Sequence, residues 1–155
     1  RIAIIAGDSE YSVTHERMRG ALKALHDAGL QLAGEARFGP WEAEWGRAAA
    51  RLLLNDGAAF DAVICQNDVL ARGCIEELER NGCRVPQDVA VIGHDNSPDY
   101  VSYAHPLLTS IDDNNEMLGR QAALCLLDAI AGHPHHGVER VPVKLIQRES
   151  TLPLD

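Results

Sequence analysis

The sequence has no long apolar run and little positive charge. None of its apolar stretches reaches the 18 residues that a membrane-spanning helix needs, and its first residues lack the layout of a secretory signal. Lysine and arginine number 14 against 23 aspartate and glutamate residues, which gives a formal charge of -9. This balance opposes binding to a phosphate backbone or an anionic membrane. We therefore expect no membrane partner and no direct DNA contact from this chain.

Cysteine motifs are also lacking. The four cysteines form no CxxC pair and show no zinc-finger spacing to histidine, so we expect no redox motif and no metal. They are typical of reduced, mostly buried thiols in a cytoplasmic protein. The histidine-rich segment 133–136 lies among glycine and proline, and a solvated turn is favoured there over a transition-metal site. Asp112, Asp113 and Glu116 are better explained as acids that open a helix than as a cation site.

The common cofactor and catalytic motifs are missing as well. The first loop, GDSEYSVTHE, contains neither GxGxxG nor GxxxxGK[ST], so no cofactor is expected. The chain has no GxSxG elbow, and spacing assigns no Ser, His and Asp set. An enzyme that uses Asp95 and Arg17 as acid and base is the disfavoured alternative, and we expect no enzymatic activity.

What the sequence does contain is a regular alternation of short apolar runs and amphipathic segments. Its 155 residues suit one domain. Strands are predicted at 2–6, 32–38, 62–65, 89–93, 107–111 and 141–146, and helices at 14–28, 41–54, 68–81 and 114–131. Thr14 is a candidate cap for the first helix. This rhythm predicts an α/β fold, a parallel sheet flanked by helices as in Rossmann-like domains.

Polar residues gather where five of the predicted strands end. In open parallel sheets, ligands bind in the crevice beyond the carboxyl ends of the strands. The candidates there are Arg17, Trp41, Asn67, Asp95 and Asp113. Carboxylates, amides, an arginine and an indole together indicate a pocket for a small polyhydroxylated ligand.

Each candidate also has a structural explanation. Asp68, beside Asn67, is favoured as the N-cap of its helix. Asp95 is a residue that commonly stabilises its own turn, and Arg17 suits a solvated first turn of a helix. Trp41 and Trp45 lie one helical turn apart, so at least one of them is expected to pack in the core.

The helix predicted at 114–131 is apolar on almost all sides. A surface helix is normally apolar on one face only. This helix is therefore either central to the fold or packed against a partner outside the chain. The chain also enters an apolar strand directly after Arg1, and we expect it to be a piece of a longer protein.

Six fragments occur in a familiar order: IAIIAG, HERMRGALKAL, QNDVLARG, RVPQDVAVIGHDN, PLLTSI with the following LGRQA, and QREST. Together they resemble the lactose and galactose repressor (LacI/GalR) family of bacterial transcription regulators over nearly the whole chain. The resemblance implies a two-lobed sensor like the periplasmic sugar-binding proteins, preceded by a DNA-binding helix-turn-helix that is absent from this chain. Residues 1–112 and about 140–155 would form one lobe, and about 113–139 would cross toward the first lobe.

The resemblance also implies roles for individual residues. Arg17, Trp41, Asn67 and Asp95 match effector contacts of the family. Asp113 stands where members often have a glutamine that lines the cleft, a departure that bears on which ligand is accepted. The helix at 68–81 and the loop at 97–105 resemble dimerisation regions. Their candidate apolar contacts are Val69, Leu70, Tyr100 and Tyr103.

The function implied by the resemblance is effector sensing in a cytoplasmic transcriptional regulator, acting as a repressor. A small molecule would bind between the lobes and alter how a homodimer holds operator DNA through the absent helix-turn-helix. The expected effector is a sugar, sugar acid or polyol, with a purine less favoured. The alternative is a sugar-binding protein of an uptake system, which shares the fold.

Overall fold

A six-stranded sheet forms the centre of the computed structural model, which describes residues 1–57 and 59–151. The strands are β1 Ile2–Ala6, β2 Arg37–Phe38, β3 Ala62–Cys65, β4 Ala90–His94, β5 Thr109–Asp112 and β6 Lys144–Ile146. Their order across the sheet is β2-β1-β3-β4-β5-β6. The first five strands run parallel, and β6 pairs antiparallel with β5. The predicted α/β fold is confirmed, and the sheet is mixed at this one edge.

Five helices connect these strands in the described part of the chain. They are α1 Ser12–Asp27, α2 Ala43–Asn55, α3 Asp68–Arg80, α4 Pro98–Val101 and α5 Asn115–Ile130. Because α1 begins at Ser12, Thr14 does not cap it; the Thr14 hydroxyl instead donates to the Asp8 carbonyl at 2.7 Å. None of these helices is both long enough and apolar enough to cross a membrane.

The predicted strand at 32–38 is mostly irregular. Only Arg37 and Phe38 pair with β1, and Leu32 forms an isolated bridge with Ile2. Between them Gly34 has a φ of 87°, a left-handed conformation that interrupts an extended strand. The short β2 therefore forms a weak edge of the sheet. At the other end of the chain, residues 152–155 of the predicted lobe lie outside the described residues.

One face of the sheet is buried under α2 and α3. Ile5 and Val63 point into this core, where they meet Leu53 and Leu78, and all four are almost completely buried. The two helices approach closely because glycine stands at the contact. A Cβ built on Gly73 would lie 2.0 Å from the carbonyl oxygen of Ala43, so no larger residue fits without moving a helix.

The opposite face of the sheet is less covered. Here α1 packs through Met18 on Ile4 and Ala6. Beside α1 a cavity of about 310 Å³ reaches the sheet, and Ile64 and Ile92 are among the side chains that line it. Helices therefore flank both faces, as predicted, but they cover the two faces unequally.

Helix α5 stands apart from this core. It has no buried residue, and Leu126, Leu127 and Ile130 are 63%, 61% and 74% exposed. Of the two explanations for its apolar sequence, a central position in the fold is therefore excluded for the described chain. The explanation that remains is a packing partner outside it.

The QREST segment, residues 147–151, forms hydrogen bonds with β4 and the start of β5. It ends in a 3-10 turn at Glu149–Thr151. The Ser150 hydroxyl donates to the Val91 carbonyl at 2.6 Å and accepts from the Thr109 backbone N–H at 2.9 Å. Arg148 donates to the Leu108 carbonyl at 2.7 Å. This segment thus stabilises β4 and the start of β5.

The contact between α2 and α3 gives a stability prediction. We expect Gly73→Ala to lower the free energy of unfolding by about 1–3 kcal/mol, because the added methyl group overpacks the helix contact. Gly20→Ala is the matched control, since a Cβ on Gly20 in α1 has no neighbour within 4 Å. This control should raise the free energy by about 0.5–1 kcal/mol. Urea denaturation measures both, and equal effects would contradict the close approach.

Candidate ligand-binding site

Arg17 is the centre of the candidate site at the carboxyl ends of the strands. It lies in the second turn of α1, and its side chain is 18% exposed. Its guanidinium donates to Asp95 at 3.1 Å and to Asp113 at 3.3 Å, and also to the Gln66 carbonyl at the end of β3. One side chain therefore links the ends of β3, β4 and β5. The sequence predicted this meeting point from strand order alone.

Asp113 has a second partner that the sequence did not indicate. Its other carboxylate oxygen lies 2.7 Å from Nε2 of His94, the last residue of β4. The His94 side chain is mostly buried. Asp113 is thus held between a guanidinium and an imidazole, and this pair of contacts fixes its orientation toward the crevice.

Trp41 lies beside this network, in the segment that precedes α2. Its ring centroid is 6.0 Å from the Arg17 guanidinium carbon, at the outer limit of a cation–π contact. The ring also lies over Gly7, where a Cβ would come within 2.1 Å of it. Trp45 is a packing residue whose indole N–H donates to the Ala6 carbonyl at 3.1 Å. Both tryptophans are half-buried against the core, which agrees with the expectation that at least one of them packs there.

The roles of Asn67 and Asp68 differ from those favoured by the sequence. Asn67, not Asp68, is the N-cap of α3, and its side-chain oxygen accepts from the Leu70 N–H at 2.8 Å. The prediction of Asp68 as the cap is therefore wrong. Asn67 still lies at the end of β3 beside the crevice, but its side-chain oxygen already has a backbone partner.

Asp68 instead holds two loops of the site in place. Its carboxylate accepts from the Ser97 backbone N–H at 2.8 Å and from the Ser110 hydroxyl at 2.5 Å. The side chain is almost completely buried, and burial raises the pKa of the Asp68 carboxyl, although both hydrogen bonds oppose the shift. These bonds tie the start of α3 to the loop after β4 and to β5.

The loop after β4 has an unusual backbone. Asp95 and Asn96 have φ values of 98° and 51°, a region that non-glycine residues rarely adopt and that is enriched at functional sites. The Asn96 N–H donates to the Ser110 hydroxyl at 3.0 Å, and its side-chain oxygen accepts from Arg148 at 2.8 Å. Neighbouring groups thus hold the strained conformation that aims Asp95 at Arg17.

The charge of the site is one guanidinium against two carboxylates. Burial raises the pKa of the Asp95 carboxyl, while the nearby Arg17 acts in the opposite direction. The formal charges of Arg17, Asp95 and Asp113 sum to -1. Such a site offers acceptors to hydroxyl groups and disfavours an anionic ligand.

The adjoining cavity meets this network only in part. Arg17, Gln66 and His94 line one end of it, whereas most of its wall is formed by the apolar face of the sheet. Asp95 and Asp113 are not among its lining residues. The polar crevice and the apolar cavity are therefore neighbouring features that share Arg17.

The four candidate dimer residues lie in different environments. Leu70 is completely buried in the core beneath α3, so its side chain is not available to a partner, and the structure does not support its assignment. Val69 and Tyr100 are partly exposed, and Tyr103 is 79% exposed. These three remain candidates for an interface.

Sequence reasoning did not choose His94 as a site residue, and it misjudged the role of Asp68. Both are strand-end residues, so the rule that found the other candidates also reached them. Asn67 and Asp68 are adjacent and both can cap a helix, which is a signal that one of them has another task. The partner of His94 was not predictable, because its contact with Asp113 spans 19 residues.

Comparison with known proteins agrees with the resemblance noted in the sequence. Residues 1–151 match the periplasmic binding protein-like domain family. The chain is 36% identical to the HTH-type transcriptional repressor CytR of Escherichia coli (strain K12), covering 99% of this chain and 46% of CytR. It is also 36% identical to the HTH-type transcriptional regulator CelR of Thermobifida fusca, covering 97% of this chain and 44% of CelR.

Solved structures agree with these relatives. The Lac repressor bound to ONPG in the repressed state superposes with a TM-score of 0.91 at 30% identity, covering 97% of this chain and 45% of that one. A complex of the regulator CelR with cellobiose gives a TM-score of 0.84 at 35% identity, covering 97% and 46%. The chain spans about half the length of the curated relatives that it matches.

The raised pKa of Asp68 predicts a direction for the pH dependence of stability. A carboxyl whose pKa is higher in the folded chain than its unfolded value of about 3.9 holds its proton more tightly when folded. The free energy of unfolding therefore falls as pH rises from the unfolded pKa through the folded pKa. Because Asp68→Asn cannot titrate, the wild-type value minus the variant value should decrease over this range.

Asp88→Asn provides a control of opposite sign. Hydrogen bonds from Arg84 lower the pKa of Asp88 to about 2, so its stabilising contribution is present above the unfolded pKa and is lost as pH falls. Urea denaturation of all three proteins from about pH 3 to about pH 7 makes the comparison. A wild-type minus Asp68→Asn difference that increases with pH would contradict the burial of this carboxylate.

Proposed function

This chain belongs to the family of periplasmic binding protein-like domains, in the form found in LacI-family transcriptional repressors, and from this premise we propose that it is the effector-sensing part of a transcriptional regulator. The resemblance noted in the sequence is thereby confirmed. The relatives described above are transcriptional regulators and not uptake proteins. The regulatory activity of the whole protein belongs to the proposal, because the chain spans only about half of those relatives.

The observation that carries the proposal is the network around Arg17. Asp95 and Asp113 reach Arg17 from the ends of two neighbouring strands, with Trp41 beside them. Hydroxyl groups of a ligand would donate to the carboxylates and accept from the guanidinium. The indole of Trp41 would pack on an apolar C–H face of the ligand. Asn67 follows Gln66, whose carbonyl accepts from Arg17, and its side-chain amide N–H groups would complete this set.

The effector class that fits best is a neutral sugar or polyol. The net negative charge of the Arg17 network disfavours a sugar acid, although a sugar acid was among the effectors expected from the sequence. The relative CelR has been solved with cellobiose, a neutral sugar. A purine remains less favoured, because a nucleobase binds largely by stacking, and Trp41 offers a single indole, 6.0 Å from the Arg17 guanidinium carbon.

The proposed organisation places the ligand between two lobes. Residues 1–112 and about 140–155 would form one lobe, of which the structure describes 1–57, 59–112 and 140–151, and about 113–139 would cross toward a first lobe supplied by another part of the protein. The exposed apolar residues of α5 support this arrangement, since a stable protein rarely leaves so large an apolar surface uncovered. Relatives about twice as long as this chain have the required length.

Regulation then follows from differential binding. A ligand shifts a two-state equilibrium only if it binds one state more tightly. Closure of the lobes on the ligand would supply this difference, and a homodimer would convert it into altered spacing of two helix-turn-helix units on operator DNA. Val69, Tyr100 and Tyr103 are the remaining dimer candidates. The proposed protein is a cytoplasmic repressor without enzymatic activity.

Ligand binding is tested by thermal shift of the longest native protein that contains this chain. The panel is cellobiose, galactose, glucuronate, mannitol and hypoxanthine. We expect a neutral sugar or polyol to raise the melting temperature, because a ligand at about 100 times its Kd stabilises the folded state by about 2.7 kcal/mol. Arg17→Ala and Asp95→Ala should each weaken binding about tenfold or more, since each removes a charge-assisted hydrogen bond.

Arg19→Ala is the matched control for Arg17→Ala. Arg19 lies on the same helix, but its side chain is 77% exposed and pairs with Glu16. This variant should bind the effector as the wild type does. Binding that survives Arg17→Ala and Asp95→Ala would move the site away from this network, and turnover of the ligand would contradict a pure sensor.

Helix α5 provides a separate test of the two-lobed organisation. We expect Leu127→Asp to lower the melting temperature of the longest native protein, because the charge would replace an apolar contact between the lobes. In the present chain alone, the same change should alter the free energy of unfolding by no more than about 0.5 kcal/mol. Arg120→Gln, also exposed on α5, is the control. An equal response in both lengths of protein would remove the argument for a covering lobe.

A further inference from the structure

A second cluster of polar side chains lies between α5 and the segment that follows it. Ligand atoms of Cys125, His135 and Glu139 lie within 4.8 Å of one another. Cys125 comes from the middle of α5, and the other two residues come from the turn and extended segment after it. The sequence favoured a solvated turn for the histidine run, because the run lies among glycine and proline, and no spacing in the sequence indicated that Cys125 and Glu139 lie beside it.

The three groups are a thiol, an imidazole and a carboxylate. Cys, His and Glu are all common Zn²⁺ ligands, and tetrahedral binding places ligand atoms roughly 3.5 Å apart. The distances between the ligand atoms therefore exceed those of a bound site by at most about 1 Å. Cys125 is partly exposed, and His135 and Glu139 are exposed, so small side-chain rotations can close this gap.

Two neighbouring residues orient the candidate ligands. Nε2 of His135 lies 2.9 Å from the Asp128 carboxylate, so Nδ1 is the ring nitrogen available to a metal. A carboxylate bonded to a histidine in this way fixes the orientation of the ring and makes it a better ligand. On the other side, the Gln121 amide donates to Glu139 at 2.7 Å.

From this geometry we infer a Zn²⁺ site formed by Cys125, His135 and Glu139, with the fourth position open to water. The cluster of His94, Asp95 and Asp113 has similar spacing, but the guanidinium of Arg17 contacts both of its carboxylates and would repel a cation. No cationic side chain contacts the inferred ligands among the described hydrogen bonds and ion pairs. The environment of the second cluster therefore favours a metal.

Metal binding displaces one proton. The Cys125 thiol donates to Glu139 at 3.4 Å, whereas zinc is bound by the thiolate. The step is Cys–SH plus Zn²⁺ giving Cys–S⁻–Zn²⁺ plus H⁺, with the proton passing to solvent, because Glu139 must stay a carboxylate to bind the metal. No oxidant or reductant takes part.

The inferred site does not compete with the surface proposed for the first lobe. Gln121, Cys125 and Asp128 are spaced at i, i+4 and i+7 and share one face of α5. Leu126 and Ile130 lie on the opposite face by the same geometry. A bound metal would thus fasten the turn after α5 to the helix while its apolar face stays available, which makes the site independent of the proposed effector function.

Titration with Zn²⁺ and with Co²⁺ tests the inference on the longest native protein, freed of any histidine tag. We expect one equivalent to bind per chain, with a thiolate-to-cobalt charge-transfer band in the near ultraviolet. Cys125→Ser should abolish this band and weaken Zn²⁺ binding by about tenfold or more. His135→Ala should weaken binding by at least a similar factor, because even the loss of a residue that only orients a metal ligand typically reduces metal affinity about 10- to 100-fold.

Two variants serve as controls. Cys83→Ser changes the other partly exposed cysteine, and His26→Ala changes an exposed histidine on α1; both should bind as the wild type does. Circular dichroism verifies that all variants are folded. Absence of binding would overturn the inference, and so would binding that survives Cys125→Ser, since the histidine run alone would then hold the ion.

Discussion

The buried carboxylate of Asp68 is the fixed point on which the geometry of the candidate site depends. It accepts hydrogen bonds from the Ser97 backbone and the Ser110 hydroxyl, and so joins α3 to the loop after β4 and to β5. Gly93 permits this approach, because a Cβ there would lie 2.2 Å from the carboxylate. Asp95 and Asp113 leave the sheet from these two anchored strands. A residue with no proposed ligand contact therefore sets the positions of two that have one.

Much of the fold and the meeting of Arg17 with two carboxylates were predictable, because the carboxyl ends of parallel strands always converge on one edge. The choice between Asn67 and Asp68 as helix cap was not predictable. Either side chain can cap a helix, and only distant partners decide between them. The assignment of Leu70 to a dimer interface failed for a related reason. Helical periodicity places Val69 and Leu70 on different faces of α3, but the rotation of α3 against the sheet determines which of the two is buried.

Burial is distributed unevenly between the sheet and the last helix. The sheet face under α2 and α3 has the packing of a finished core, whereas α5 contributes no buried residue. In the proposed two-lobed sensor, this apolar helix would find its partner in the other lobe. Movement of one half would then be transmitted through α5, because this helix follows directly on the strand that precedes Asp113.

The closing role of Ser150 has a consequence for the order in which the protein is made. Ser150 bonds to Val91, which lies 59 residues earlier in the chain, and to Thr109. During synthesis, β4 and β5 leave the ribosome well before the segment that stabilises them. The nascent lobe therefore lacks these bonds to β4 and β5 until residue 150 has been made, and a partly folded lobe is a species that favours chaperone capture or aggregation. Completion of this part of the fold waits for the last residues that the structure describes.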